Sequence, residues 1–226
     1  METTKILNLA PYIDHTLLKP DATKDQIIKL CDEALKYSFK GVCVNSRFVE
    51  LAHSKLKKSS VLVISVIGFP LGACLSEVKR HEAILATKAG ANEIDMVINI
   101  GAIKERDWSL VESDIRAVTE GVPVPVKVIL ETGLLTHEEI VQACKVSELG
   151  GARFVKTCTG FATGSATVEH IALMRSLVSE RVEVKASGGI KTYEQARALI
   201  AAGATRLGTS SGVQLMTGQT VSPQSY

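Results

Sequence analysis

Three segments of this 226-residue chain share one grammar: "KAGANEID", "ELGGARFVK" and "AAGATRLG" each run from a helix end through glycine into an extended segment. That joint is the helix-to-strand loop of a parallel sheet. Parallel neighbours need a crossover of a dozen or more residues between them, usually a helix. The feature therefore restricts the chain to an α/β fold.

Short apolar or β-branched runs recur along the whole sequence. They are Ile13 with its neighbours, Gly41–Val44, Val61–Ile67, Glu93–Ile98, Val124–Leu130, Arg153–Lys156, Val182–Lys185 and Thr205–Leu207. Helical patterns lie between them. Thr23 is a predicted N-cap, with Ile27, Ile28, Leu30, Cys31, Ala34 and Leu35 as the apolar face behind it. Ser76 opens a second helix that ends at Gly90, and a third runs from Asp107 to Thr119. Thr136 and Glu139 form a predicted capping box, and Gly150 ends that helix. Two more run from Thr167 to Val178 and from Thr192 to Ala202.

Eight strand–helix units in this length match a closed barrel, and no G-x-G-x-x-G follows the first strand, as an open dinucleotide-binding sheet would show. Apolar residues make up 46% of the chain and aromatics only 4%, so its core is built from Val, Ile, Leu and Ala, as suits a parallel sheet. No low-complexity linker interrupts it. The expectation is a single (β/α)8 TIM barrel over residues 1–226, with a polar, mobile tail from about residue 217.

Several function classes drop out. A net charge of +2 is too small to suggest nucleic-acid or membrane binding. No apolar run approaches the roughly 18 residues of a membrane span, and "METTKILNLAPYIDH" lacks the pattern of a secretion signal. Cys31, Cys43, Cys74, Cys144 and Cys158 are odd in number with no C-x-x-C, so neither disulfides nor zinc are indicated and a cytoplasmic location is expected. The histidines are dispersed, and no metal or other cofactor is called for.

Polar or glycine positions recur near the strand ends: Asp14, Cys43, Gly68, Asp95, Lys127, Lys156, Lys185 and Ser210, at intervals of 25 to 32 residues. In a barrel these converge on the C-terminal face, where active sites form. Three of them are lysines on consecutive strands. Lysine is rarely buried, and a single one would be read as snorkelling to the rim. Three together suggest crowded ammonium groups. Repulsion and burial would then lower an amine's pKa from about 10.4 toward neutrality. A neutral amine adds to carbonyls. Spacing does not say which lysine attacks.

Asp95 shares a strand face with Glu93 and reads as a general acid/base beside the lysines, or as their structural ion-pair partner. Asp14 could orient water or a lysine, or serve a capping role. His15, beside Asp14, is a weaker candidate. "SGGI" and "LGTSSGV" follow the seventh and eighth strands, where barrels commonly hold phosphate; two tight turns would look the same. Cys43 and Cys158 read as packing residues.

"YIDHTLLKP", "VCVNSRFV", "VIGFPLG", "EIDMVINIG", "VKVILETG", "FVKTCTGF", "VKASGGI" and "RLGTSSG" together resemble the deoxyribose-phosphate aldolase family from about Tyr12 to Gly212. The resemblance implies reversible cleavage of 2-deoxy-D-ribose 5-phosphate to D-glyceraldehyde 3-phosphate and acetaldehyde. It implies that Lys156 forms the Schiff base, that Lys185 lowers its pKa, and that Asp95 transfers protons through water. Gly160, Gly188, Gly189, Gly208, Ser210 and Ser211 would hold the phosphate, and Asp14 and Lys127 would belong to the surrounding polar network. A homodimer is a further expectation. The family commonly has Ser where Cys158 stands. Some relatives fold a C-terminal tyrosine into the site, and this chain ends in Tyr226. A different phosphate-binding barrel enzyme, or a non-catalytic sugar-phosphate binder, would share the fold without this chemistry.

Overall fold

Strands and helices alternate from Ile13 onward in the computed structural model, which describes residues 7–218. The order is β1 (Ile13–Leu17), α1 (Lys24–Tyr37), β2 (Gly41–Asn45), α2 (Val49–Leu56), β3 (Leu62–Ile67), α3 (Ser76–Lys88), β4 (Glu93–Val97), α4 (Ile100–Lys104), α5 (Trp108–Thr119), β5 (Val126–Ile129), α6 (His137–Leu149), β6 (Phe154–Lys156), α7 (Val168–Leu177), β7 (Glu183–Ser187), α8 (Tyr193–Ala201), β8 (Arg206–Thr209) and α9 (Gly212–Thr217). Every strand pairs in parallel with the next, and β8 pairs with β1, so the sheet closes as a (β/α)8 barrel. Tyr226 and most of the polar tail lie outside the described residues; Thr217 is the last residue of α9.

The joints that limited the fold are helix-ending turns. Gly90, Gly151 and Gly203 have φ of +108°, +87° and +115°, backbone that side-chain-bearing residues rarely adopt. A Cβ at Gly90 would also lie 2.4 Å from the His53 ring. At the helix starts, Thr23, Thr136 and Thr192 form reciprocal capping boxes with Gln26, Glu139 and Gln195. Each such cap stabilises its helix by about 1 kcal/mol.

Three helices exceed the sequence expectation. In α2 the apolar spacing was present, with Val49, Ala52 and Leu56 buried. α4 and α9 have only five and six residues, too short for periodicity to register. The apolar run at Val124 begins ahead of its strand for a local reason. Pro125 has no N–H for the ladder, although its carbonyl still accepts from the Ile94 amide at 3.0 Å.

Strand alternation divides the core in two. Val42, Val44, Val63, Ile94, Met96, Val126, Val128, Val155, Val184 and Leu207 belong to the large cluster beneath the helices. Inside the barrel, Cys43, Ile64 and Val66 with Leu18 form a separate apolar cluster on the β2–β3 side. The opposite side of the interior is ionic.

Candidate active site

Asp95 on β4 is the hub of that ionic half. Its Oδ1 accepts from Lys127 Nζ at 2.7 Å, and its Oδ2 accepts from both Lys156 Nζ and Lys185 Nζ at 2.9 Å. The nitrogens of Lys156 and Lys185 are therefore within twice that distance of each other. None of the three lysines snorkels: Lys127 and Lys185 are 0% exposed and Lys156 3%. Register explains the convergence, because Lys127 lies beside Asp95 and Lys185 beside Lys156 on neighbouring strands.

Asp14 on β1 accepts from Lys185 through Oδ2 at 2.5 Å and from Arg206 through Oδ1 at 3.0 Å. Arg206, on β8, continues to Glu93 with two hydrogen bonds, at 2.9 and 3.1 Å. Glu93 Oε2 lies 2.6 Å from Lys127 Nζ. The Phe154 ring lies near both cations, its centroid 5.5 Å from the Lys127 ammonium and 5.3 Å from the Arg206 guanidinium carbon.

Electrostatics here departs from simple crowding of cations. Burial alone would push the Lys185 ammonium down, but Asp14 and Asp95 overturn that and raise its pKa well above the ordinary lysine value. The like-charge crowding read from the sequence is offset at Lys185, whose immediate contacts are the carboxylates of Asp14 and Asp95. Burial likewise works against the ionised Asp95, yet Lys127, Lys156 and Lys185 hold its carboxyl well below the usual range. Asp14 is held low against the same burial by Lys185, Arg206 and Lys127.

One cavity opens onto this cluster at the C-terminal ends of the strands. Of the three lysines bound to Asp95, Lys156 lines it. Gly188, Gly208, Ser210 and Ser211 line it as well. Gly160 and Gly189 sit one step back, each beside lining residues, with φ of +85° and +72°. The Ser211 amide already donates to Thr209 Oγ1 at 2.9 Å. Phe161 at the mouth packs edge-on against Phe69, with centroids 5.2 Å apart. Lys19, which sequence reasoning passed over, adds an exposed cation at the rim.

The loops around the cavity are braced by polar side chains. Glu131, in left-handed backbone (φ 57°) and 1% exposed, accepts from the Thr159 amide at 3.2 Å and from the Thr159 hydroxyl. Thr157 Oγ1 donates to Ser187 O at 2.7 Å and accepts from Ser187 N at 2.9 Å, tying the loop after β6 to the end of β7. Below β4, the fully buried Lys79 of α3 donates to Asp114 of α5 at 2.6 Å and to Val97 O at 3.0 Å, anchoring the strand that carries Asp95.

Other candidates fall away from the cluster. His15 alternates outward from Asp14; its Nε2 meets Glu33 Oε2 at 2.7 Å and its ring lies against Phe39. Cys43 packs in the apolar half of the barrel, where burial and then Asp95 push its thiol up to about 11. Cys158 is buried against Thr132, and burial raises its thiol too. Among the described residues, no group of three or more His, Cys, Asp or Glu is placed to hold a metal ion. No described helix is long and apolar enough to cross a membrane.

Sequence and structural comparisons agree with one another. A family model described as DeoC/LacD family aldolase matches residues 9–216. The chain is 55% identical over 217 residues to a deoxyribose-phosphate aldolase of Streptococcus sanguinis, covering 96% of this chain and 99% of the relative. It is 56% identical to a deoxyribose-phosphate aldolase of Thermococcus gammatolerans, covering 94% and 96%. Among solved structures, a tetrameric deoxyribose phosphate aldolase from Aeropyrum pernix superposes with a TM-score of 0.84 at 34% identity, covering 93% of this chain and 90% of that one.

Proposed function

The chain belongs to the DeoC/LacD family of aldolases, and on that premise we propose that it is a deoxyribose-phosphate aldolase in which Lys156 forms the Schiff base. It cleaves 2-deoxy-D-ribose 5-phosphate reversibly to D-glyceraldehyde 3-phosphate and acetaldehyde. The observation that carries the assignment is that Lys156, alone among the three lysines on Asp95, also lines the cavity.

The chemistry follows from that placement. The uncharged Lys156 amine adds to the C1 aldehyde of the open-chain sugar and loses water, giving a protonated imine. The C3 hydroxyl then gives up its proton as the C2–C3 bond breaks. The bond pair moves into the C1–C2 enamine, and glyceraldehyde 3-phosphate leaves. Protonation at C2 and hydrolysis release acetaldehyde and regenerate the amine. Asp95, held ionised, and Lys185, held cationic, flank the nitrogen and exchange these protons through water. The phosphate sits at the far end of the cavity on Gly188, Gly208, Ser210 and Ser211, with Gly160 and Gly189 shaping the loops.

Borohydride reduction in the presence of acetaldehyde tests the assignment. A two-carbon addition mapped to Lys156 is expected, with sugar-phosphate cleavage unimpaired by a chelator. An addition mapped elsewhere, or none, rejects it.

Two coarser traits complete the reading. The free thiols of the described cysteines suit a reducing cytoplasm. Homodimerisation is supported by exposed apolar side chains, Val78 and Leu85 on α3 with Leu71 and Leu75 just before it. Light scattering at the monomer mass would reject the dimer.

A further inference from the structure

Six of the buried charges form a closed circuit. In order around it stand Asp14, Arg206, Glu93, Lys127, Asp95 and Lys185, with each neighbouring pair 2.5–3.0 Å apart and the last returning to Asp14. Carboxylates and cations alternate, three of each, so the circuit is neutral. Lys156 is the seventh group, attached from outside through Asp95 Oδ2.

We propose that Arg206 and Glu93 are positioning residues for the reaction: by closing the circuit at exact charge balance, they leave Lys156 as the one surplus cation and so fix its amine as the group that gives up a proton. This rests on Lys156 being the Schiff-base lysine. With Lys156 protonated the seven groups carry one net positive charge, and with Lys156 neutral they carry none. Unbalanced charge inside a barrel is unfavourable, and of the four cations in the cluster Lys156 alone faces the cavity, where a proton can pass to solvent. In the resting site Lys185 keeps its proton, because it bridges two carboxylates within the circuit. Neither Arg206 nor Glu93 lines the cavity; both act through Asp14, Lys127 and Asp95.

The groups facing this cluster come from nearly every strand. They are Asp14 on β1, Cys43 on β2, Glu93 and Asp95 on β4, Lys127 on β5, Lys156 on β6, Lys185 on β7 and Arg206 on β8. β3 contributes the apolar Ile64 and Val66. The Cys43 thiol, pushed up to about 11, adds no charge at neutral pH. Glu131, above β5, is turned to Thr159, and Lys19 at the cavity rim is exposed to solvent, which screens its charge. The balance is therefore set by the named circuit.

The test is the pH profile of kcat/KM for deoxyribose 5-phosphate, with the rate of acetaldehyde–borohydride labelling of Lys156 as a second readout. Arg206→Gln leaves the circuit one negative charge in excess, which retains the proton on Lys156. Its acidic limb is expected to move up by about one pH unit or more, with activity recovering at high pH. Glu93→Gln leaves one positive charge in excess and is expected to move the same limb down. Arg206→Lys keeps the charge and should bring the limb back toward its original position, and the double variant Arg206→Gln with Glu93→Gln restores neutrality and should do likewise.

A merely structural role would lower rates in both single variants without opposed shifts; limbs that move together, or not at all, overturn the proposal. If Arg206→Gln fails to fold, Glu93→Gln decides alone: a downward shift supports the circuit and an unmoved limb overturns it. Absence of label on Lys156 in the unsubstituted protein would instead bring down the Schiff-base assignment itself. Label at Lys156 with unmoved limbs would remove only the circuit's role.

Discussion

Lys156 and Lys185 place their side-chain nitrogens on the same oxygen, Asp95 Oδ2, at the same distance of 2.9 Å. One carboxylate oxygen thus serves both the cavity-facing amine and the buried ammonium behind it. Asp95→Asn would leave Arg206, Lys127 and Lys185 as three cations facing only the two carboxylates Asp14 and Glu93. Removing one partner from a buried ionic cluster costs about 3–5 kcal/mol, so the urea midpoint should fall clearly. Turnover should drop by roughly 10²-fold or more, the usual contribution of a proton-transfer group. A stable variant with near-normal turnover would show that Asp95 is neither the structural hub nor the proton carrier.

Lys156 and Lys185 should respond differently to removal. Lys156→Ala is expected to abolish the reducible two-carbon adduct and to lower cleavage by at least ~10³-fold, as loss of a covalent nucleophile does. Lys185→Met should slow cleavage and destabilise the barrel, while any adduct still maps to Lys156. Peptide mass mapping separates the outcomes, and an adduct on residue 185 of the unsubstituted protein would reverse the roles.

Stability should depend on pH in a direction set by the shifted groups. Asp14 and Asp95 have carboxyls held below their ordinary value of 3.8. Their contribution is complete above that value and is lost as pH falls through their lower folded values. Lys185 is raised, so its contribution is complete below 10.5 and fades only as pH climbs through its higher folded value. Urea unfolding followed against pH should show these groups contributing steadily from about pH 4 to pH 10, with acid loss below. A steep decline between pH 5 and 6 would point to other groups.

Gly188 is the most informative glycine of the loops proposed to hold the phosphate. Its φ is +95°, and a Cβ there would lie 3.0 Å from Cys158 Cβ. Gly188→Ala introduces left-handed strain of about 1–2 kcal/mol into a residue that lines the cavity. KM for deoxyribose 5-phosphate should rise about tenfold, while unphosphorylated deoxyribose should be affected much less. Equal losses for both sugars would place the phosphate elsewhere.

Much of this was legible in the chain itself. The glycine joints and the regular strand spacing gave the barrel, because both follow from local backbone geometry. The period-two pattern put Glu93 and Asp95 on one face and put lysines at matching heights on three successive strands. Arg206 escaped notice: it sits in the four-residue β8, too short for alternation to show its direction, and its partners Asp14 and Glu93 are 192 and 113 positions away. The raised pKa of Lys185 was hidden for the same reason, since its governing contacts are Asp14 and Asp95, 171 and 90 positions distant. Like-charge crowding can be read along a sequence; the counter-charges that tame it can be read only across a closed sheet.

The pairing of β1 with β8 is where the sheet meets itself, and the contact between Asp14 and Arg206 spans that seam. Asp14 belongs to the first strand and Arg206 to the last, so no partial barrel can assemble the full ring of ions. A chain interrupted before its final strand would keep Lys156, Lys185 and Asp95 yet lack the countercharge that completes their setting. Finishing the architecture and readying the chemistry are then a single folding event.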